Sequence, residues 1–167
     1  HYGAIADIEK LPPALGDILI IADHKPNNKL YSLSTSGHTS VYAKLCVAPN
    51  KLTLDPHKQN LYFTFDGGLG KVNVITRLVD YLTDVASDSY GHVDGPIASA
   101  RFSSVPMALK FITNTLILVA DHLNNVLRIM DLHSGNVSTV CTSVAFYNQP
   151  STGNVAQCTL LGPKAIE

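Results

Sequence analysis

At 167 residues the chain can bury one compact core, and with 46% hydrophobic and 15% charged residues its composition excludes disorder for most of its length. A formal net charge of −1, from 12 Lys+Arg against 13 Asp+Glu, argues against a nucleic-acid partner, which calls for a basic excess. No apolar run approaches the roughly 18 residues that span a bilayer, so no membrane-crossing helix is expected.

The chain opens at His1 with no visible signal peptide, and is therefore expected to be a processed product or a fragment. Residues 1–13 carry little pattern and read as a lead-in. From Asp17 the run Asp17–Asp23 is an apolar strand closing on Ala22-Asp23, followed by His24, with a Ser36-Gly37 turn fourteen positions after Asp23. The same arrangement recurs in Thr115–Asp121, with His122 next and Ser134-Gly135 fourteen positions after Asp121. Between them lie Val126–Met130 and the Asn124-Asn125 pair, whose short amide side chains suit a turn. Leu116–Val119, Val126–Met130 and Asn136–Val140 thus predict an antiparallel meander.

Residues 60–85 form a middle copy. Leu61-Tyr62-Phe63-Thr64 is its strand and Asp66 its key aspartate. Val74 stands eight positions after Asp66, as Ile129 stands eight after Asp121, while Asp80 replaces the glycine of the other copies. The three aspartates are 43 and 55 residues apart, and residues 87–104 fill the longer gap with a polar, glycine-containing insertion. Periods of roughly 40 to 50 residues with four strands per unit indicate propeller blades. Pro49 and Pro106 each open a strand, where a missing N–H does no harm, and Pro163 repeats that opening. The expected fold is all-β, a single partial β-propeller domain over 1–167. Its repeat units are approximately 14–47, 48–87 and 105–143, with the start of a further one at 156–167. Residues 88–104 and 142–155 lie between blades.

Residues 92–140 resemble an NHL repeat. The resemblance rests on Asp94-Gly95, Ala100-Arg101-Phe102, Pro106, Val119-Ala120-Asp121, Asn124-Asn125 with Arg128, and Gly135-Asn136-Val137-Ser138-Thr139. The middle copy, with Leu61-Tyr62-Phe63-Thr64 ahead of Asp66, also looks like the YWTD blades of lipoprotein-receptor ectodomains. Both resemblances imply four-stranded antiparallel blades in a ring that usually has six. About three blades cannot close such a ring. The open edges are expected to meet the remainder of the propeller, on the same longer chain or as a bound cleaved half.

Asp23, Asp66 and Asp121 are expected to accept turn N–H bonds in a structural role. Arg101 and Arg128 either pair carbonyls and carboxylates between blades or anchor an anion. The repeated Ala-Asp-His, with His24 and His122, is the most tempting metal site, but a metal needs three or four ligands in fixed geometry. No G-x-S-x-G elbow, P-loop, H-E-x-x-H or EF-hand loop occurs, so no catalytic residue, metal or cofactor is expected. Cys141 and Cys158 flank a 16-residue polar segment. A disulfide across a loop of that size stabilises by about 3 kcal/mol, the alternative being two buried thiols, and Cys46 is left without a partner. Asn136-Val137-Ser138 is an N-glycosylation sequon at a hairpin turn. Leu116, Leu118, Leu127 and Ile129 are expected to be buried between blades.

These features read as an extracellular or cell-surface module, not an enzyme, that recognises another protein or glycoprotein through propeller rim loops. One alternative is a propeller enzyme of lyase or lactonase type with a metal in its central channel. The other is a cytoplasmic NHL module that binds RNA.

Overall fold

The computed structural model describes residues 5–23, 28–86, 90–104, 106–143 and 156–158. Three antiparallel sheets follow one another along the chain. The first is a meander of β1 (Ile5–Lys10), β2 (Ile18–Asp23), β3 (Lys29–Ser34) and β4 (Thr39–Lys44). The second repeats it with β5 (Pro49–Leu54), β6 (Asn60–Phe65), β7 (Gly68–Asn73) and β8 (Val79–Tyr81). After the short β9 (Gly95–Pro96), the third runs through β10 (Pro106–Phe111), β11 (Leu116–Asp121), β12 (Val126–Asp131) and β13 (Asn136–Ser143). Strand β13 also receives β9 and, in parallel, β14 (Ala156–Cys158). Among the described residues the helical elements are single 3₁₀ turns, and no helix is long and apolar enough to cross a membrane.

The turns follow from the residues that make them. Gly37 and Gly135 take φ of 82° and 72° at equivalent hairpins, a region that costs glycine nothing. Asn125 adopts the left-handed conformation that ends the turn after β11, which its short amide tolerates. The stretch read as a lead-in supplies β1, which pairs with β2 from Ile5↔Asp23 to Lys10↔Leu19. Its charges hid it. Asp7 accepts the Leu52 N–H at 2.8 Å and so links the first strands of neighbouring sheets, a strand role rather than a loop one.

The sheets stack face to face, and strand alternation decides what each face buries. In β6, Leu61, Phe63 and Phe65 enter a core shared with Ile20, Ala22, Leu30 and Tyr42 of the first sheet. Tyr62, together with Leu69 of β7, enters a second core with Ile117, Val119, Met130 and Val137 of the third sheet. The middle sheet is therefore buried on both sides. In the third sheet Ile117, Val119 and Met130 are fully buried against the second sheet, whereas Leu116, Leu118, Leu127 and Ile129 are only half-buried on the other face. The expected burial of those four was off by one residue. Both parities of β11 are apolar, so alternation alone could not say which face meets the second sheet.

The middle sheet also departs from its neighbours chemically. The sixth residue of β2 and of β11 is aspartate, Asp23 and Asp121, but the sixth of β6 is Phe65. Asp66 lies one step further on, in the turn. Phe63 and Phe65 pair directly with Gly70 and Gly68 of β7. A Cβ on Gly70 would come within 2.5 Å of Phe63 Cζ, so these glycines exist to make room for the rings.

Candidate functional site: a buried arginine between blades

In β12, alternation sends Val126, Arg128 and Met130 to one buried face. Arg128 is 0% exposed, and a guanidinium in an apolar face is tolerable only if its donors are satisfied. All five N–H groups find acceptors. Nε and Nη2 donate to Asp94 Oδ1 at 3.1 and 2.7 Å, and Nη2 also reaches the Val93 carbonyl at 2.6 Å. Nη1 donates to the Arg101 carbonyl and, at 3.3 Å, to Asp121 Oδ2. The guanidinium carbon lies 4.4 Å from the centre of the Phe102 ring, a cation–π contact on its remaining face.

The carboxylates are engaged on their far sides too. Asp121 Oδ1 accepts the Ser103 N–H at 2.8 Å, and Oδ2 accepts Asn124 Nδ2 at 2.8 Å. The same Asn124 amide donates to the Gly91 carbonyl at 2.7 Å. Asp94 Oδ2 accepts the Thr139 N–H at 2.8 Å, and Oδ1 accepts the Thr139 hydroxyl at 3.1 Å. Burial works to raise the Asp94 carboxyl, but the Thr139 N–H and the Arg128 guanidinium outweigh it and hold the group below the usual carboxylate value. His92 Nε2 lies 2.8 Å from Thr139 Oγ1. His92 is itself exposed; partial desolvation, then the Arg128 charge, lowers this imidazole from the ordinary histidine value against the pull of Asp94 and Asp121.

Several of residues 92–140 thus have a physical task. Asp94-Gly95 ties the inter-blade segment to β13, where Gly95 and Pro96 pair with Val137 and Asn136. Ala100 and Phe102 are buried in the second core, and the Arg101 carbonyl serves Arg128. Residues 102 and 103 then exchange backbone bonds with Gly67, the turn between β6 and β7. One arginine joins residues 90–104 to β11, β12 and, through Asp94, β13.

The other sequence-predicted residues fall in different places. Asp121 accepts an N–H as expected, but from Ser103, which precedes its strand, rather than from its own turn. Asp66 Oδ1 accepts Asn50 Nδ2 at 3.2 Å, and Asp23 is buried at the end of β2. The Arg101 side chain is exposed. His122 sits half-buried in the 3₁₀ turn after β11, and His24 lies outside the described residues. Asn136 is exposed at the start of β13, its Nδ2 donating to the Ser134 carbonyl at 3.1 Å. Cys141 is buried on β13 beside β14, which carries Cys158, whose side chain lies outside the described residues. Cys46 is exposed and is the free cysteine among the described residues. No group of three or more His, Cys, Asp and Glu suited to a metal gathers among the described residues. Sequence reasoning missed His92, Ser103 and the Val93 carbonyl, because a backbone acceptor or a single histidine leaves no spacing signal.

No protein-family model matches the chain, and no curated protein matches it. Solved structures do. An auxiliary nutrient binding protein from Bacteroides ovatus aligns at a TM-score of 0.63 and 14% identity over 75% of this chain and 34% of that one. A protein of the same description from Bacteroides thetaiotaomicron gives 0.60 and 14% over 75% and 33%. A catalytically inactive virginiamycin B lyase from Staphylococcus aureus, solved with quinupristin, gives 0.58 and 12% over 86% and 47%. The chain therefore spans a third to about half of the length of these structures. At such identities the likeness shows the fold alone, and the fold is a partial β-propeller.

Proposed function

We propose that the chain is part of an exported propeller that recognises another protein or glycoprotein through its rim, and that it is not an enzyme. The observation that carries this reading is the fate of the charges in the matched pattern. Arg128 and Asp121 are both 0% exposed and spend their bonds on holding the fold. What is left for a ligand is the exposed surface beside them. Tyr90 and Val93 of the inter-blade segment stand 49% and 44% exposed, and Leu123 of the adjoining turn 55%. The Asn124–Gly91 bond brings that turn and that segment together. Rigidly mounted aromatic and apolar side chains on loops are a common basis for protein contacts.

The half-buried apolar faces of the first and third sheets suit further blades, supplied by the same polypeptide or by a bound cleaved half. Export brings with it the Cys141–Cys158 disulfide and glycosylation of Asn136. The test is capture of surface glycoproteins by the intact protein and by a Tyr90→Ala, Leu123→Ser variant of equal stability. A discrete partner held by the wild type and lost by the variant is expected. Equal capture by both, or turnover of a small-molecule substrate with no protein partner, overturns the reading.

A further inference from the structure

The turn between β7 and β8 departs from its counterparts in the other two sheets. There the equivalent turns are polar and end on glycine, with Thr35, Ser36, His38, His133 and Ser134 exposed. Gly37 and Gly135 hold φ of 82° and 72° and donate back to the carbonyls of Ser34 and Asp131, the last residues of β3 and β12. In the second sheet that place is taken by Arg77, not by Asp80. Arg77 has φ of 61°, and its N–H donates to the carbonyl of Asn73, the last residue of β7, at 2.9 Å. A left-handed arginine carries a steric cost that glycine escapes. Beside it, Ile75 and Leu78 are 75% and 72% exposed, the highest values of any large hydrophobic side chain among the described residues.

The exposure belongs to a shape that is held in place. Asn73 Oδ1 accepts the N–H groups of Ile75 and Thr76 at 3.1 and 2.9 Å. Val74 is buried, and its carbonyl accepts the Tyr42 hydroxyl of β4 at 2.7 Å. The Arg77 guanidinium lies 5.0 Å from the centre of the same Tyr42 ring. The Val74 N–H donates to the Gln59 carbonyl at 2.9 Å and joins this turn to the one between β5 and β6, where Lys58 is also left-handed, with φ of 58°. Both faces of the second sheet are packed against neighbours, so an incomplete ring does not account for the exposure.

We propose that this tip is a membrane-attachment site: Ile75 and Leu78 enter the acyl boundary of an anionic phospholipid bilayer while Lys58 and Arg77 lie among its headgroups. Shape and charge favour lipid over protein. Side chains this exposed stand proud of the surface and line no groove, whereas protein hot spots favour aromatic residues seated in pockets. Paired aliphatic groups flanked by long cationic ones are the chemistry of an interfacial anchor, in which basic stems lie along the apolar layer and keep their heads in water. The exposed residues at 56–59 and 75–78 include His57, Lys58 and Arg77 and no acid. Of the acids nearby, Asp55 is buried and bonded to Gln59 and Asn60, and Asp80 is paired with Lys71 at 3.4 Å. Glu9 offsets part of the Lys58 charge. At the opposite end of the second sheet Gly67 bonds to residues 102 and 103, so an attached tip turns residues 90–104 away from the lipid.

Cosedimentation of the intact protein with lipid vesicles tests the site. The wild type is expected to sediment with vesicles of phosphatidylcholine and phosphatidylglycerol, less with phosphatidylcholine alone, and less again in high salt. The double variant Ile75→Ser, Leu78→Ser removes both aliphatic groups from exposed positions. It should bind about tenfold or more weakly, with the midpoint of urea denaturation unchanged. Arg77→Gly installs the residue of the other two turns, which accepts the left-handed backbone, and should lose part of the preference for anionic lipid. A wild type that stays in the supernatant, that binds the two vesicle types equally, or that is matched by the double variant overturns the proposal. So does self-association or a protein complex that depends on Ile75 and Leu78 in the absence of vesicle binding. No readout involves the protein partner proposed above, so failure here leaves that reading standing.

Discussion

Arg128→Met is the most informative single change, because it removes the charge while keeping much of the side-chain volume. Five hydrogen bonds go with the guanidinium, but they are not equal. The Asp94 carboxylate is 42% exposed and can take up water in place of its lost partner. Asp121 cannot, since its side chain is 0% exposed, and it is left as a buried carboxylate holding only Ser103 N–H and Asn124 Nδ2. Stranding a buried charge in this way costs about 3–5 kcal/mol, against typical totals of about 5–15 for a domain. Arg128→Lys should rescue little of this, because a point charge cannot span four acceptors with a planar fork. Adding Asp121→Asn to Arg128→Met should recover part of the loss, since the stranded charge is gone. Urea denaturation of the intact protein reads all three as shifts in midpoint at constant slope. A loss below about half a kcal/mol for Arg128→Met would refute the reasoning, as it would place the arginine in solvent.

Ile117→Ala should cost about 2–5 kcal/mol and Leu118→Ala clearly less, because Ile117 is 0% exposed and Leu118 only half-buried; equal losses would mean a different register. Gly70→Ala should destabilise by about 1–3 kcal/mol in the same denaturation assay, since its Cβ would meet the Phe63 ring at 2.5 Å. The lowered Asp94 carboxyl stabilises the fold above the ordinary carboxylate value, and that share is lost as pH falls through the folded value; acid titration of stability should flatten in Asp94→Asn. Mass spectrometry of the natural protein, alkylated without reduction, should find Cys141 and Cys158 linked and unalkylated; two alkylated thiols would sink the disulfide.

Repetition made the fold legible. Six-residue apolar strands closing on Asp23 and Asp121, with Gly37 and Gly135 at a common offset, announced stacked meanders, and the resemblance placed Arg128 among inter-blade contacts. The errors have physical causes. Asp66 was matched to Asp121 through Val74 and Ile129, each eight residues on. Yet Val74 lies in the turn after β7 and Ile129 inside β12, because the β6–β7 hairpin is two residues and the β11–β12 hairpin four. Equal spacing concealed unequal geometry. The Arg128 acceptors were illegible for another reason: the Val93 and Arg101 carbonyls belong to the backbone, so no residue type advertises them.

The second and third sheets hold their surroundings by opposite chemistry, and the contrast bears on the recognition proposed above. In the second, Tyr81 meets Phe63 and Phe65 edge to face and the two phenylalanines lie tilted to each other, with ring centres 6.0–6.2 Å apart, over glycines that give them room. Apolar packing of that kind tolerates volume-conserving substitution and fixes position only loosely. In the third, a buried guanidinium works only if every acceptor stands at its own angle, so the network permits one pose of residues 90–104 or none. That demand is hard to justify for stability alone, since apolar residues in place of a buried ion pair serve stability at least as well. It makes sense if the pose matters. The segment so fixed is the one that presents Tyr90 and Val93 to solvent, and the turn joined to it through Asn124 presents Leu123. Under the proposed recognition reading, the polar lock is the mount of a surface made by Tyr90, Val93 and Leu123.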